Sequence, residues 1–224
     1  MRKELRAEIQ RELEITKDIQ YFMSRRSLNI DISFRCPLEC PRCQRQRQWR
    51  DFGKKVPGRD LTLDEIDKIS DYYKDFIFCG QLSDPVHHPK FPEILKMLNK
   101  KNIMVEVHNA ASQKSKEYFV KCFKAHPTAS WVFGIDGLPE ESHKYRINQD
   151  GKKLFDIMCE SKKHLKRTPT WQYIIFNYNE DHIDQAKKLA KENGITFMSV
   201  QSSRWNDNED PLRPKNKKVS LNAI

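Results

Sequence analysis

The chain has 224 residues and a formal net charge of +10, with 38% hydrophobic and 32% charged residues. That length supports one large domain with a buried core. Its longest apolar runs, such as Tyr173-Ile174-Ile175-Phe176, are strand-sized and far short of the roughly 18 residues that a membrane span needs.

The N-terminal segment, MRKELRAEIQRELE, is charged throughout and carries no secretory apolar stretch. The expectation is therefore a cytoplasmic protein with no membrane partner, whose positive charge favours anionic ones. Leu5, Ile9 and Leu13 recur four apart, followed by Ile15, Ile19 and Phe22, which predicts an amphipathic helix over residues 2–23 and a first unit at 1–25. A strand at Leu28–Phe34 comes next, then a helix at Thr62–Tyr73 and a strand at Phe76–Phe78. The alternation continues with a helix at Phe91–Lys100, a strand at Ile103–His108, a helix at Ser112–Ala125 and a strand at Ser130–Ile135. It ends with a helix at Lys152–Lys166, a strand at Trp171–Asn177, a helix at Glu180–Asn193 and a strand at Ile195–Val200. Thr62 before Asp64 and Glu65, and Asn179 before Glu180 and Asp181, read as helix starts, and Gly194 as a helix end.

Strand and helix in alternation imply an α/β fold with parallel pairing and right-handed crossovers. The strands read are fewer than the eight of a closed barrel, which leaves an open partial barrel or a doubly wound sheet. In both, reactive residues belong at the C-terminal strand ends. The core domain thus runs over 26–200. Residues 201–224, polar and holding two prolines and the run Lys215-Asn216-Lys217-Lys218, predict a loose tail.

Three of the six cysteines crowd into one short loop. Cys36, Cys40 and Cys43 follow the first predicted strand in the spacing C-x3-C-x2-C. Iron–sulfur clusters are held by cysteine thiolates, normally four. Three in one loop leave one iron open to bind something else. The alternative is a zinc knuckle in a basic, non-catalytic nucleic-acid-binding module. Structural zinc wants four ligands, and no second pair follows, so His87 or His88 would have to complete the set. Cys79, Cys122 and Cys159 are spaced far apart and read as small core residues.

This loop resembles the signature of the radical S-adenosylmethionine superfamily, and the resemblance continues along about residues 28–200. Phe78-Cys79-Gly80-Gln81-Leu82-Ser83-Asp84-Pro85 is similar to a variant of the second-strand Gly-Gly-Glu-Pro motif. Gly134-Ile135-Asp136-Gly137 with Tyr145-Arg146 resembles the fourth-strand motif of the peptide-modifying branch, and Trp171-Gln172-Tyr173-Ile174-Ile175-Phe176 its fifth strand. The resemblance implies a partial (β/α)6 barrel, TIM-like, with a 4Fe–4S cluster and S-adenosylmethionine as cofactors. It implies an electron donor such as flavodoxin or ferredoxin, and reductive cleavage to a 5′-deoxyadenosyl radical that abstracts hydrogen from the substrate.

The resemblance also implies roles. Asp84, with Gly80 and Ser83, would meet the cofactor's ammonium, for which a carboxylate is a strong partner. Asn109 would make a polar cofactor contact, Asp136 would meet the ribose, Arg146 the cofactor carboxylate, and Gln172 the ribose or substrate. The sequence departs from the pattern in having Arg42 where an aromatic residue often precedes the third cysteine. It departs again in having Gly134 in place of a serine, aspartate in place of the glutamate, and no cysteine-rich C-terminal extension.

The segment from Arg42 to Arg59, read as a loop, holds seven basic residues against one acid, Asp51. Arg45, Arg47 and Arg50 with Trp49 are candidates for contacts to an anionic substrate, since cations meet phosphates and aromatics stack on bases. The resemblance instead implies a peptide or protein. The substrate expected is a peptide or protein, with nucleic acid as the alternative.

Overall fold

The computed structural model describes Gln10 and residues 27–202, 205–207 and 209–216. The helix over 2–23, and with it the unit 1–25, lies outside the described residues except for Gln10, which is helical.

Six parallel strands form one sheet in chain order: β1 (Ser27–Asn29), β2 (Asp75–Phe78), β3 (Met104–Asn109), β4 (Ser130–Gly134), β5 (Thr170–Ile175) and β6 (Thr196–Gln201). Sequential parallel neighbours require a crossover each time, supplied by α2 (Leu63–Ser70), α3 (Phe91–Lys100), α4 (Lys116–Ala125), α5 (Gly151–Ser161) and α6 (Ile183–Glu192). One further helix, α1 (Gln44–Phe52), stands between the cysteine loop and α2. Among the described residues β1 and β6 remain unpaired with each other, so the architecture is a partial TIM-type barrel.

Strand periodicity sets the two faces. Phe76, Phe78, Trp131, Phe133, Trp171 and Tyr173 are fully buried and pack toward the helices, with Trp131 edge-on to Phe123 of α4 at 4.8 Å and to Phe91 of α3 at 6.3 Å. The alternate positions, including His108, Gly134, Gln172 and Val200, line a cavity.

Local signals and tertiary demands divide the element boundaries. Thr62 makes the full capping box with Glu65, as its spacing predicts. Gly194 sits at φ +59°, the left-handed end that glycine suits. Asn179 does not cap: its side chain reaches back to accept from Phe176 N and donate to Ile174 O. Those bonds end β5 two residues early. Helix α4 begins at Lys116, capped by Ser115, while the Ser112 hydroxyl accepts from Asp150 N instead of capping a helix of its own.

Two expectations need correcting. Residues 44–52 of the segment read as a loop are a helix, closed by Gly53 at φ +61°, whose N–H reaches the carbonyls of Gln48 and Trp49. The described part of the C-terminal tail is not loose. Trp205 packs edge-on against Phe176, Asn177 N donates to Leu212 O, and the buried Asp210 pairs with Arg42 at 2.8 Å. Among the described residues no helix is long and apolar enough to cross a membrane.

Candidate functional site

The C-terminal strand ends open into a cavity of about 340 Å³. Cys36, Cys40 and Cys43 lie on its wall as free thiols. Gly80, Ser83 and Asp84 after β2, Asn109 at the end of β3, Arg146 after β4 and Gln172 on β5 line the same space. The cysteine loop is tied to the segment after β2 by Asp84 N donating to Arg35 O.

Burial pushes the Cys36 thiol up to about 12 and the Cys40 thiol up to about 11. Two guanidiniums oppose this, Arg45 at Cys36 and Arg146 at Cys40. Cations beside thiols favour the thiolate, the form that binds metals.

Asp84 is buried, and its carboxylate is fully occupied inside the protein. Oδ2 accepts from Ala110 N and Ala111 N, both at 2.8 Å; Oδ1 accepts from Val86 N at 3.2 Å; Asn109 Nδ2 reaches both oxygens. A carboxylate offers about four lone-pair positions, so Asp84 clamps the end of β2 to the end of β3. Asn109 is thereby oriented, and its Oδ1 is buried without a partner. Gly80, at φ +61°, makes the tight turn: a Cβ there would lie 2.2 Å from Ser83 O.

Asp136 stands behind Arg146 and is not on the cavity wall. It is fully buried, and its Oδ1 accepts from Ile174 N at 2.9 Å. Arg146 Nε is 2.8 Å from Asp136 Oδ2. The two form a close, buried ion pair, and the Asp136 carboxylate holds the Arg146 guanidinium firmly charged. Arg146 thus faces Cys40 on one side and its counter-ion on the other.

Arg45, Arg47, Trp49 and Arg50 do not form one surface. Arg45 turns inward, donating to Leu38 O beside Cys36. Arg50 folds back onto Pro41 O, and Arg47 pairs with Asp51 along α1. Trp49 is 53% exposed. Arg42 is held by Asp210.

Sequence reasoning missed several participants. Asp31 accepts from Ser83 Oγ at 2.6 Å and from Leu82 N at 3.3 Å, fixing the turn after β2. Gln149 donates to Ala110 O and to Gly134 O, joining the ends of β3 and β4. Cys79, read as a core residue, lines the cavity. His108 lines it too, with Nε2 2.6 Å from Glu106 Oε1. The inward alternation of β3 was the signal that could have found His108. Among the described residues no three His, Cys, Asp or Glu side chains are grouped to hold a single metal ion.

No family model and no curated protein matches the sequence. Solved structures do match. The chain is similar to SuiB of Streptococcus suis bound to its precursor peptide SuiA, at TM-score 0.68 and 12% identity, covering 93% of this chain and 48% of that one. It is similar to SuiB bound to S-adenosylmethionine, at TM-score 0.67 and 13% identity, covering 88% and 46%. Methylornithine synthase (PylB) matches at TM-score 0.58 and 14% identity, covering 88% and 60%. The chain thus spans about half the length of SuiB. Over most of its length it shares the fold of the radical S-adenosylmethionine enzymes SuiB and PylB.

Proposed function

We propose that this chain is the core of a radical S-adenosylmethionine enzyme acting on a peptide or protein. The observation that carries the reading is the meeting of three free thiols, spaced C-x3-C-x2-C, with polar groups from several strand ends on one cavity. The donor set suits a cluster, whose thiolates attach to separate irons and need not converge on one atom as zinc ligands do. Cys36, Cys40 and Cys43 would hold it. When bound, it supplies the electron that cleaves S-adenosylmethionine to methionine and a 5′-deoxyadenosyl radical, which takes a hydrogen atom from the substrate.

The chain's own residues bind and orient. Arg146, held by Asp136, presents a planar fork suited to the cofactor carboxylate. Asn109 Oδ1, buried and unpartnered, suits a donor such as the ammonium. Asp84 acts on that group through Asn109, since its own oxygens are taken. Gln172 faces the same space from β5. A peptide or protein substrate is favoured by the likeness to SuiB, solved with a precursor peptide. The dispersal of the α1 arginines weakens the nucleic-acid reading.

The test is anaerobic reconstitution followed by iron and sulfide analysis. About four of each per chain is expected, lost when all three cysteines become alanine, with 5′-deoxyadenosine formed on reduction. Stoichiometric zinc without iron uptake would sink the reading.

A further inference from the structure

Cys79 is a fourth thiol on the wall of the cavity that Cys36, Cys40 and Cys43 share. It follows the last residue of β2, and the inward alternation of Asp75 and Ile77 continues to it. In the β2–β3 register Ile77 pairs with Glu106 and Phe78 with Val107, so Cys79, one residue on, stands level with His108. His108 lines the same cavity, with its Nε2 2.6 Å from Glu106 Oε1.

The backbone fixes Cys79 in place. Gly80 follows it at φ +61°, and the turn beyond is pinned twice. Asp31 holds Ser83 Oγ, and Asp84 N donates to Arg35 O, which joins this turn to the cysteine loop itself. No disulfide engages Cys79. Gln81 Nε2 reaches its sulfur at 3.8 Å, a weak contact to set against a metal–thiolate bond. Cys122 and Cys159 belong to α4 and α5 and are not on the cavity wall.

We propose that Cys79 is an exchangeable fourth ligand, whose thiolate occupies the open iron of the cluster until S-adenosylmethionine displaces it. The inference rests on the reading of Cys36, Cys40 and Cys43 as cluster ligands. Clusters are normally held by four thiolates, and four cysteines line this cavity while only three stand in the loop. Each sulfur binds its own iron, so the four need not converge as the ligands of a single ion do. Thiolate is the form that binds metal, and an imidazole held by a carboxylate is a ready acceptor for the thiol proton. The cofactor carries an amine able to ligate iron. In the exchange the Fe–S bond to Cys79 breaks and an Fe–N bond forms. The ammonium sheds a proton in binding, the departing sulfur takes one up, and no electron moves. An iron capped in this way is closed to oxidants until the cofactor arrives.

The experiment compares reconstituted wild type, Cys79→Ala and Cys79→Val, the last keeping the bulk of the side chain without a ligand atom. All three should take up about four irons and four sulfides per chain, because the loop cysteines remain. Brief ferricyanide oxidation without cofactor strips an iron that no protein ligand holds, and electron paramagnetic resonance counts the three-iron remnant. Both variants should give that remnant in most clusters and wild type in few. Titration of the loaded proteins with S-adenosylmethionine should then show both variants binding on the order of tenfold tighter than wild type, the factor expected if Cys79 leaves about one iron in ten open. Equal three-iron signals in wild type and variants would overturn the proposal, as would equal affinities. Tighter binding by the alanine variant alone would be a matter of room in the cavity, and would overturn it too. Uptake of iron by wild type and by neither variant would make Cys79 a permanent ligand and rule out the exchange. Failure of all three proteins to take up iron and sulfide removes the underlying reading and this proposal with it. Uptake by all three with the same response to ferricyanide removes this proposal alone.

Discussion

A Cβ on Gly134 would stand 2.8 Å from Nη2 of Arg146 and 3.0 Å from its Cζ. The bare end of β4 is what lets the guanidinium lie against the strand between Asp136 and Cys40. It also accounts for glycine where the resembling motif carries serine. Gly134→Ala should push the buried guanidinium off its counter-ion and cost about 1–3 kcal/mol, the usual range for overpacking. Urea unfolding of the metal-free protein measures it, and an unchanged midpoint would show that Arg146 yields freely.

Removing Arg146 itself is a harsher change. Arg146→Met leaves the fully buried Asp136 without its cation, and breaking a buried pair from one side costs about 3–5 kcal/mol. Replacing both partners with apolar residues should recover much of that loss. A double-mutant cycle in urea reads the coupling, and additive losses would mean the pair is not coupled.

Asp84→Ala strips two amides, the part-buried Ala110 N and the buried Ala111 N, of their acceptor. Each unsatisfied group costs about 1–3 kcal/mol. The loss should therefore appear in stability, without added cofactor, as well as in affinity for S-adenosylmethionine measured by titration. A variant with weakened cofactor binding and wild-type stability would make Asp84 a direct ligand and not a clamp.

Burial holds the His126 imidazole below its ordinary value of 6.5, and its Nε2 donates to Ile103 O at 3.0 Å. The unfolded chain therefore binds this proton at a higher pH than the folded one does. Stability from His126 is complete above about pH 6.5 and declines as pH falls below it. Urea midpoints between pH 8 and 5 should show that decline, and His126→Gln should make it shallower. Equal slopes in both proteins would assign it to other groups.

One buried carboxylate joins the C-terminal segment to the cysteine loop. Asp210 accepts from Arg42, Asn206 N and Leu212 N. Asp210→Ala should raise hydrogen exchange at residues 205–213 and at the cysteine loop together, since Arg42 lies between Cys40 and Cys43. Faster exchange in the C-terminal segment alone would mean that the contact does not restrain the loop.

What the sequence determined by itself was local. The βα alternation, the Thr62–Glu65 capping box, the Gly194 helix end and the cysteine spacing each depend on residues a few positions apart. Backbone sterics and short-range hydrogen bonds express such signals wherever the segment sits. Helix α1 escaped because it buries no face and so shows no apolar period; its clearest mark is Gly53 closing it. The cavity residues could be named one strand at a time through resemblance, but their partners could not.

Tertiary structure alone decided that Asp84 spends its oxygens on β3, that Asp136 backs Arg146 and that Asp210 grips Arg42. It also decided that Arg45 turns inward while Arg47 stays on the surface. Each choice depends on the parallel register that brings strand ends together, and on which charges end up where water cannot reach them. A buried carboxylate must find donors, and which donors are within reach is fixed only when the strands have come together around it.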